Sequence, residues 1–441
     1  MEKSMKGKQS GHTDAGGYNR RDFLVNAGKL AGAALALPIL AKAPGAAAQS
    51  TGAASILSSV SSRATERRTV GVLLPQSSAY PKLGANFLAG LDLYLNQAGR
   101  KGISVVSAAV GTCCGQAKQE ARAMLKSQKI DLMVGLVNPS VADTLVPILE
   151  ASKTAFIASS LGENVARADE HSSYIFHHTM GMWQANWALG KWAATALGRT
   201  AVMASSYYDS GYDTLYAFRM GFEAGGGQVH STHVTHRPNS DLGLSSLMSV
   251  IKQAKPSVVF ASYYGQAAVD LLNAYARAGL SRSVPLVGTA FLVDQAVVNS
   301  VGSAAAGVTT SLPWAASLNT AENQAFITAY QHKTGKSPDA FAVLGYETGG
   351  LIASAIDRAA GGSLRDALTG ASVVGPRGAI AMNATTQSTS APHYLQQAQR
   401  QGINVRNVVL ADLAAAAELD GQVAALRQTT RTGWVSTYLC G

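Results

Sequence analysis

From Thr69 onward the chain alternates short apolar runs with segments of helical periodicity, and that alternation narrows its possible folds more than any other feature. Thr69–Leu74 is an apolar run of strand length, ended by Pro75. Leu83, Phe87, Leu91, Tyr94, Leu95 and Ala98 then recur at helical spacing and stop near Gly99. Strands follow at Ile103–Val110, Ile130–Val137 and Thr154–Ala158. Between them lie a helix marked by Ala117, Ala121, Met124 and Leu125 and another at Ser140–Ala151. Near-continuous apolar strands separated by helices are buried on both faces, so the sheet they form is parallel.

The series then restarts. Helices are predicted at Trp183–Leu197, Tyr212–Ala224, Leu242–Ala254 and Ala267–Ala278, and strands at Thr200–Ala204, Gln228–Thr235, Ser257–Ser262 and Val284–Gly288. Two successive series point to two similar lobes rather than one large sheet. The repetition is of architecture; no residue-level repeat accompanies it. The tail reads as helices at Thr320–Lys333 and Asp339–Arg358, strand-like segments after Gly375 including Val405–Leu410, and an Ala-rich helix over 411–430.

The first fifty residues form a separate segment. Asn19–Leu24, with Arg20 and Arg21 side by side, resembles a twin-arginine export signal. An apolar stretch from Val25 to Leu40 follows, then Ala46-Ala47-Ala48 before Gln49. The alternative is a short membrane anchor, but Lys29 and Pro38 interrupt the stretch. A signal over residues 1–48 and a Ser-, Ala- and Gly-rich linker over 49–68 are expected, with the mature chain outside the cytoplasm and not inserted in the membrane.

Composition and motifs exclude several classes. The chain has 441 residues, enough for two or three domains; 47% are hydrophobic and 14% charged, so it is not a disordered chain. Residues 1–49 hold seven Lys/Arg and three Asp/Glu; beyond them 29 basic and 23 acidic residues remain, a net +6 without a dense basic block. A nucleic-acid partner is not expected. There is no Gly-x-Gly-x-x-Gly after a strand, no Gly-x-Ser-x-Gly and no His-Glu-x-x-His, and Gly335-Lys336-Ser337 lacks the phosphate-loop glycine because position 330 is Tyr. No catalytic residue and no cofactor are therefore expected. His230, His233 and His236 could share a helix face and bind a metal, but Val229, Thr232, Val234 and Thr235 favour a strand, on which His233 points away from the other two. No metal is expected. Cys113 or Cys114 could bridge to Cys440 outside the cytoplasm, or all three could be buried thiols.

Several segments together carry a family resemblance. Gly71–Tyr80, Leu83-Gly84 and Ala89-Gly90 resemble the opening of type I periplasmic binding proteins, the leucine/isoleucine/valine-binding group that serves ABC importers. Asp131–Gly135, Thr154–Ala158, Tyr208–Gly211, Lys255–Phe260, Val287-Gly288, Tyr346–Gly349 and Gly375–Gly378 extend the similarity over residues 69–411. The resemblance implies an α/β fold of two Rossmann-like, doubly wound lobes joined by a hinge of three crossovers. It puts these near His178–Thr179, Ala306–Val308 and Gly378–Ala381. Lobe 1 is then 69–178 plus 308–378, and lobe 2 is 179–307 plus 379–441.

The implied function is that of an exported substrate-binding protein. It would bind a small polar organic solute between lobes that close on it and deliver it to an ABC permease in the inner membrane. A ligand sensor of the same fold, or an exported cofactor enzyme, are the alternatives. The strand-end loops supply the candidate ligand contacts: Tyr80, Asn138, Ser140, Ser159, Ser160, Gly162 and Glu163 from one lobe, and Tyr208, Tyr264, Phe291 and Asp294 from the other. Asn138 or Ser140 would either cap a helix or touch ligand. The family's amino-acid binders carry a serine where this chain has Pro139, a threonine at Gly162 and an acid at Ala290. A buried ammonium without an anion is costly, so Glu163 or Asp294 would have to replace that acid. Amides, urea-like molecules and aromatic carboxylates are the other solutes the family resemblance allows.

Overall fold

The computed structural model describes residues 67–76, 82–110, 114–162, 172–207, 209–211, 213–235 and 242–429. The expected export signal, most of the expected linker, Tyr80, Cys113, Glu163, Tyr208, His236 and Cys440 lie outside the described residues.

The first sheet is parallel and five-stranded, in the order β2-β1-β3-β4-β5. Its strands are β1 (Arg68–Pro75), β2 (Ile103–Val110), β3 (Leu132–Leu136), β4 (Phe156–Ser160) and β5 (Ile175–Thr179). Helices α1 (Leu83–Gln97), α2 (Cys114–Ser127) and α3 (Pro139–Ser152) make its crossovers. Arg68 belongs to β1, not to a linker: it pairs in register with Ile103 and holds Asp131 at 3.2 Å. β5 escapes the apolar-run rule, because Ile175–Thr179 carries His177 and His178 in place of apolar residues.

The second sheet has seven strands, in the order β14-β13-β10-β9-β8-β6-β7. The core of it repeats the first pattern. Strands β6 (Thr200–Ser206), β7 (Gln228–Thr235), β8 (Val258–Ser262), β9 (Leu286–Thr289) and β10 (Thr309–Leu312) run parallel. They alternate with α4 (Met182–Ala196), α5 (Thr214–Ala224), α6 (Leu242–Ala254), α7 (Gly265–Arg277) and α8 (Gln295–Val301). His233 is half-buried and His230 exposed on β7, in strict alternation along the strand, and His233 Nε2 meets Ser231 Oγ at 2.9 Å.

The chain then returns to the first sheet with α9 (Ala321–Thr334), α10 (Ala340–Ala359), α11 (Leu364–Leu368) and the hairpin β11 (Ser372–Gly375) and β12 (Gly378–Ala381). Phe341, Leu344, Leu351 and Ile352 of α10 share one buried core with Val70, Phe87 and Leu91. Gly90 and Gly345 let α1 and α10 touch backbone to backbone; a Cβ on either would strike the facing helix. Finally β13 (His393–Gln401) and β14 (Asn404–Ala414) add antiparallel strands to the second sheet, and α12 (Ala416–Thr429) packs Leu419, Val423 and Leu426 on Trp183 and Trp187 of α4. Residues 411–414 thus finish a strand; the helix expected from 411 begins at Ala416.

Two expected crossover positions need correction. β10 hydrogen-bonds to β9 and β13, so the chain leaves the second sheet after Leu312 and not at 306–308. β12 pairs with β11, and Ile380 and Met382 sit in the first lobe's core, so the last passage falls after 378–381. Residues 387–389 still bond to His177 of β5, which puts it at 390–392. The passages at Thr179–Gly181, Pro313–Trp314 and 390–392 are cross-linked. His393 Nε2 lies 3.2 Å from Gly181 O, and Gln396 Nε2 donates to Trp314 O at 2.9 Å.

Candidate functional site

In both sheets the strand order reverses once: beside β1, between β2 and β3, and beside β6, between β7 and β8. At such a reversal the crossover helices diverge to opposite faces and leave a crevice beyond the carboxyl ends of the strands. The two crevices open into one cleft of about 1870 Å³. Pro75, Val137, Asn138, Ser160 and Leu161 line it from the first sheet; Ser206, Asp209, Tyr263, Tyr264 and Phe291 line it from the second. That volume exceeds the roughly 300–1,000 Å³ of a pocket that encloses a small molecule. The space is a cleft between lobes, and close contact with a small solute requires them to approach.

Asn138 lines the cleft and caps α3: its Oδ1 accepts the Val141 N–H at 2.9 Å. Ala142 N–H bonds to Asn138 O, and Pro139 at the first helical position has no N–H. Ser160 also lines the cleft, and its Oγ accepts from Gly162 N at 3.1 Å.

Ser159 and Gly162 do not line the cleft. Adjacent strand residues point to opposite faces, and Ser159 Oγ meets Thr348 Oγ1 of α10 at 3.0 Å in the buried interior. Gly162 has φ +90, and a Cβ there would lie 2.9 Å from Gly181 N. It is needed where the β4 loop presses on the first crossover. Asp294 lines the cleft, but its Oδ1 caps α8 by accepting Val297 N–H at 2.8 Å; burial pushes its carboxyl above the usual range. Asp339 does the same for α10 through Ala342 N–H at 2.9 Å, and Asn86 donates to its other oxygen at 2.7 Å. Neither acid is therefore a bare charge.

The second lobe contributes an aromatic wall. Tyr264 and Phe291 stack at 5.3 Å with 27° between planes, and Phe291 meets Phe341 of the first lobe at 5.9 Å. Phe341 and Trp314 line the cleft as well. Neither stands out in the sequence: Trp314 follows a strand that the sequence conceals, and Phe341 is one apolar position among many on α10. Asp209, in a loop already singled out through Tyr208, is 5% exposed on the cleft wall.

Among the described residues no three His, Cys, Asp or Glu side chains gather as a metal set, and no helix is long and apolar enough to cross a membrane.

Two sheets, one parallel and one mainly parallel, three crossovers and a cleft at both strand-order reversals define a two-lobed binding protein. The family model described as periplasmic binding protein matches residues 68–403, and the chain belongs to that family. It is 24% identical over 341 residues to Leu/Ile/Val-binding protein homolog 6 of Brucella melitensis, covering 74% of this chain and 86% of that protein. An ABC transporter substrate-binding protein from Sphaerobacter thermophilus superposes with TM-score 0.73 at 25% identity, covering 80% of this chain and 100% of that one. A solute-binding protein of an ABC transporter from R. palustris, solved in complex with benzoate, has TM-score 0.67 and 29% identity, covering 79% and 98%.

Proposed function

We propose that this chain is the exported solute-binding component of an ABC importer and that its solute is an aromatic carboxylate. The observation that carries the reading is the contiguous ring wall Tyr264–Phe291–Phe341 on the cleft. A planar ring gains both area and quadrupole contacts there. The opposite wall suits an anion. Pro75, Val137, Asn138, Ser160 and Leu161 carry no charge, and α3 starts there with the positive end of its helix dipole beside Asn138. The benzoate complex of the R. palustris protein supports the same solute class.

Binding shifts the lobes from open to closed because a ligand that touches both walls has higher affinity for the closed form. The closed form is what a permease partner would recognise. Export through the twin-arginine segment at Asn19–Leu24, cleavage after Ala48 and a free periplasmic chain complete the proposal.

Calorimetric titration against a panel of benzoates, branched-chain amino acids and amides tests the solute class. A benzoate should bind at micromolar or tighter Kd, raise the melting temperature and shrink the radius of gyration. Binding of leucine or an amide, with no benzoate bound, would refute the assignment. Replacement of Arg20 and Arg21 by Lys should block export while leaving the purified chain able to bind.

A further inference from the structure

Asp209 opens a short 3-10 turn, Asp209–Gly211, directly after β6 and so at the strand-order reversal of the second sheet. Its carboxylate accepts from the Ser206 hydroxyl and from the backbone N–H of Tyr264, and its own N–H donates to Ser206 Oγ at 3.1 Å. Among the described residues no lysine, arginine or histidine forms an ion pair with it. Among the described residues the neighbouring titratable side chain is Tyr263, whose hydroxyl is engaged with Thr235 Oγ1 at 3.1 Å.

Each other acid on the cleft wall has a different setting. Asp294 and Asp339 cap helices, and Asp270 is held by Gln266 on the exposed face of α7. Asp209 alone combines near-complete burial, a place at the reversal and contact with the backbone of a ring-wall residue. A buried carboxylate without a cation is costly, and it has acceptor capacity left after two donors. Burial pushes this carboxyl up to about 7, which agrees with a group that lacks a charged partner.

Resting on the aromatic-carboxylate reading, we propose that Asp209 is a specificity-determining residue of the cleft: it accepts a hydrogen bond from a hydroxyl or amino substituent on the ring, at the end remote from the ligand's carboxylate. The two walls then divide the recognition. The first-lobe wall at the ends of β3 and β4 receives the carboxylate, the ring lies against Tyr264 and Phe291, and the far substituent meets the acid beside Tyr264. An unsubstituted ring would leave Asp209 buried with nothing in place of water.

The test is calorimetric titration of the full mature chain with benzoate, 4-hydroxybenzoate, 4-aminobenzoate and 4-methoxybenzoate, repeated on Asp209→Ala and Asp209→Asn. A hydrogen bond to a charged group predicts that 4-hydroxybenzoate and 4-aminobenzoate bind the wild type at least about tenfold more tightly than benzoate or the methoxy ether. In Asp209→Ala that ratio should fall to about threefold or less, with Asp209→Asn between the two. Equal affinity of all four for the wild type, or a ratio that persists in Asp209→Ala, overturns the role of Asp209 and leaves the aromatic-acid assignment standing. Absence of binding by all four overturns both together.

Discussion

Arg377 grips one carboxylate oxygen of Glu347 with two nitrogens, Nε at 2.8 Å and Nη2 at 2.6 Å, while its Nη1 donates to Thr179 O at 2.9 Å. Glu347 is fully buried on α10 and Arg377 is 5% exposed in the β11–β12 turn. The pair therefore ties the returning segment of the first lobe to the end of β5, where the first crossover begins. Removing one partner strands the other charge in the interior. Arg377→Ala should lose about 3–5 kcal/mol in denaturant unfolding, whereas the joint replacement Arg377→Met with Glu347→Leu should lose much less. Equal stability of the single and joint variants would show that the pair is not what holds this junction.

Acid should loosen the hinge in a defined order. His393 is buried between Gly181 O and Ala391 O, near Arg377, and burial lowers its imidazole from 6.5 to about 4. His178 is shifted the same way, again mainly by burial. Below 6.5 the unfolded chain binds protons at these rings that the folded chain refuses, so stability falls as pH drops from 6.5 towards 4, by up to about 3 kcal/mol for His393. Burial raises the Glu347 carboxyl, but Arg377 and His178 more than offset this and hold it below its ordinary value, so its contribution is lost only at lower pH. Unfolding curves of wild type and His393→Gln across pH 4–7 should show a shallower acid slope in the variant; identical slopes would discount His393.

The second lobe depends on a helix contact that admits no Cβ. A methyl on Gly221 of α5 would fall inside the carbonyl oxygen of Trp187 on α4, and one on Gly190 would strike Phe218 O. Backbone cannot swing aside as a side chain can, so Gly221→Ala should cost about 3 kcal/mol or more. A melting scan reads it directly. Gly302, whose Cβ position is open, has φ +54 and should lose only the smaller backbone-strain term on the same change.

The ring wall should matter to affinity more than to stability. Phe291 is half-buried, between Tyr264 and Phe341, and has cleft space before it. Phe291→Ala should weaken benzoate binding by about tenfold or more, from lost stacking and lost apolar area. Phe291→Leu should recover part of that loss. Calorimetry that gives wild-type affinity for Phe291→Ala would remove this wall from the site.

Sequence legibility followed burial chemistry. β1, β3, β4 and β8 are apolar runs buried on both faces, and their strand character is written in composition. β10 is Thr309-Thr310-Ser311-Leu312, buried yet mostly hydroxylic, so the same rule passes over it and the second crossover is misplaced with it. β13 mixes glutamines with a buried His393 and hides for a similar reason. At the cleft, the strand-end rule finds Asn138, Ser160, Tyr264 and Phe291 because chain position alone fixes them. It cannot separate Ser159 from Ser160, since a shift of one residue reverses the face. Trp314 and Phe341 reach the cleft through the returning segment, whose placement depends on packing across the whole chain.

That returning segment has a consequence for biogenesis. The face of the first sheet covered by α1 is sealed by α10, whose Phe341, Leu344 and Leu351 leave the ribosome some 270 residues after Val70. The amino-terminal lobe therefore cannot mature as an autonomous unit during translation; it waits for nearly the whole polypeptide. Partly synthesised chains should stay protease-sensitive until α10 has emerged, and completion should come late and all at once.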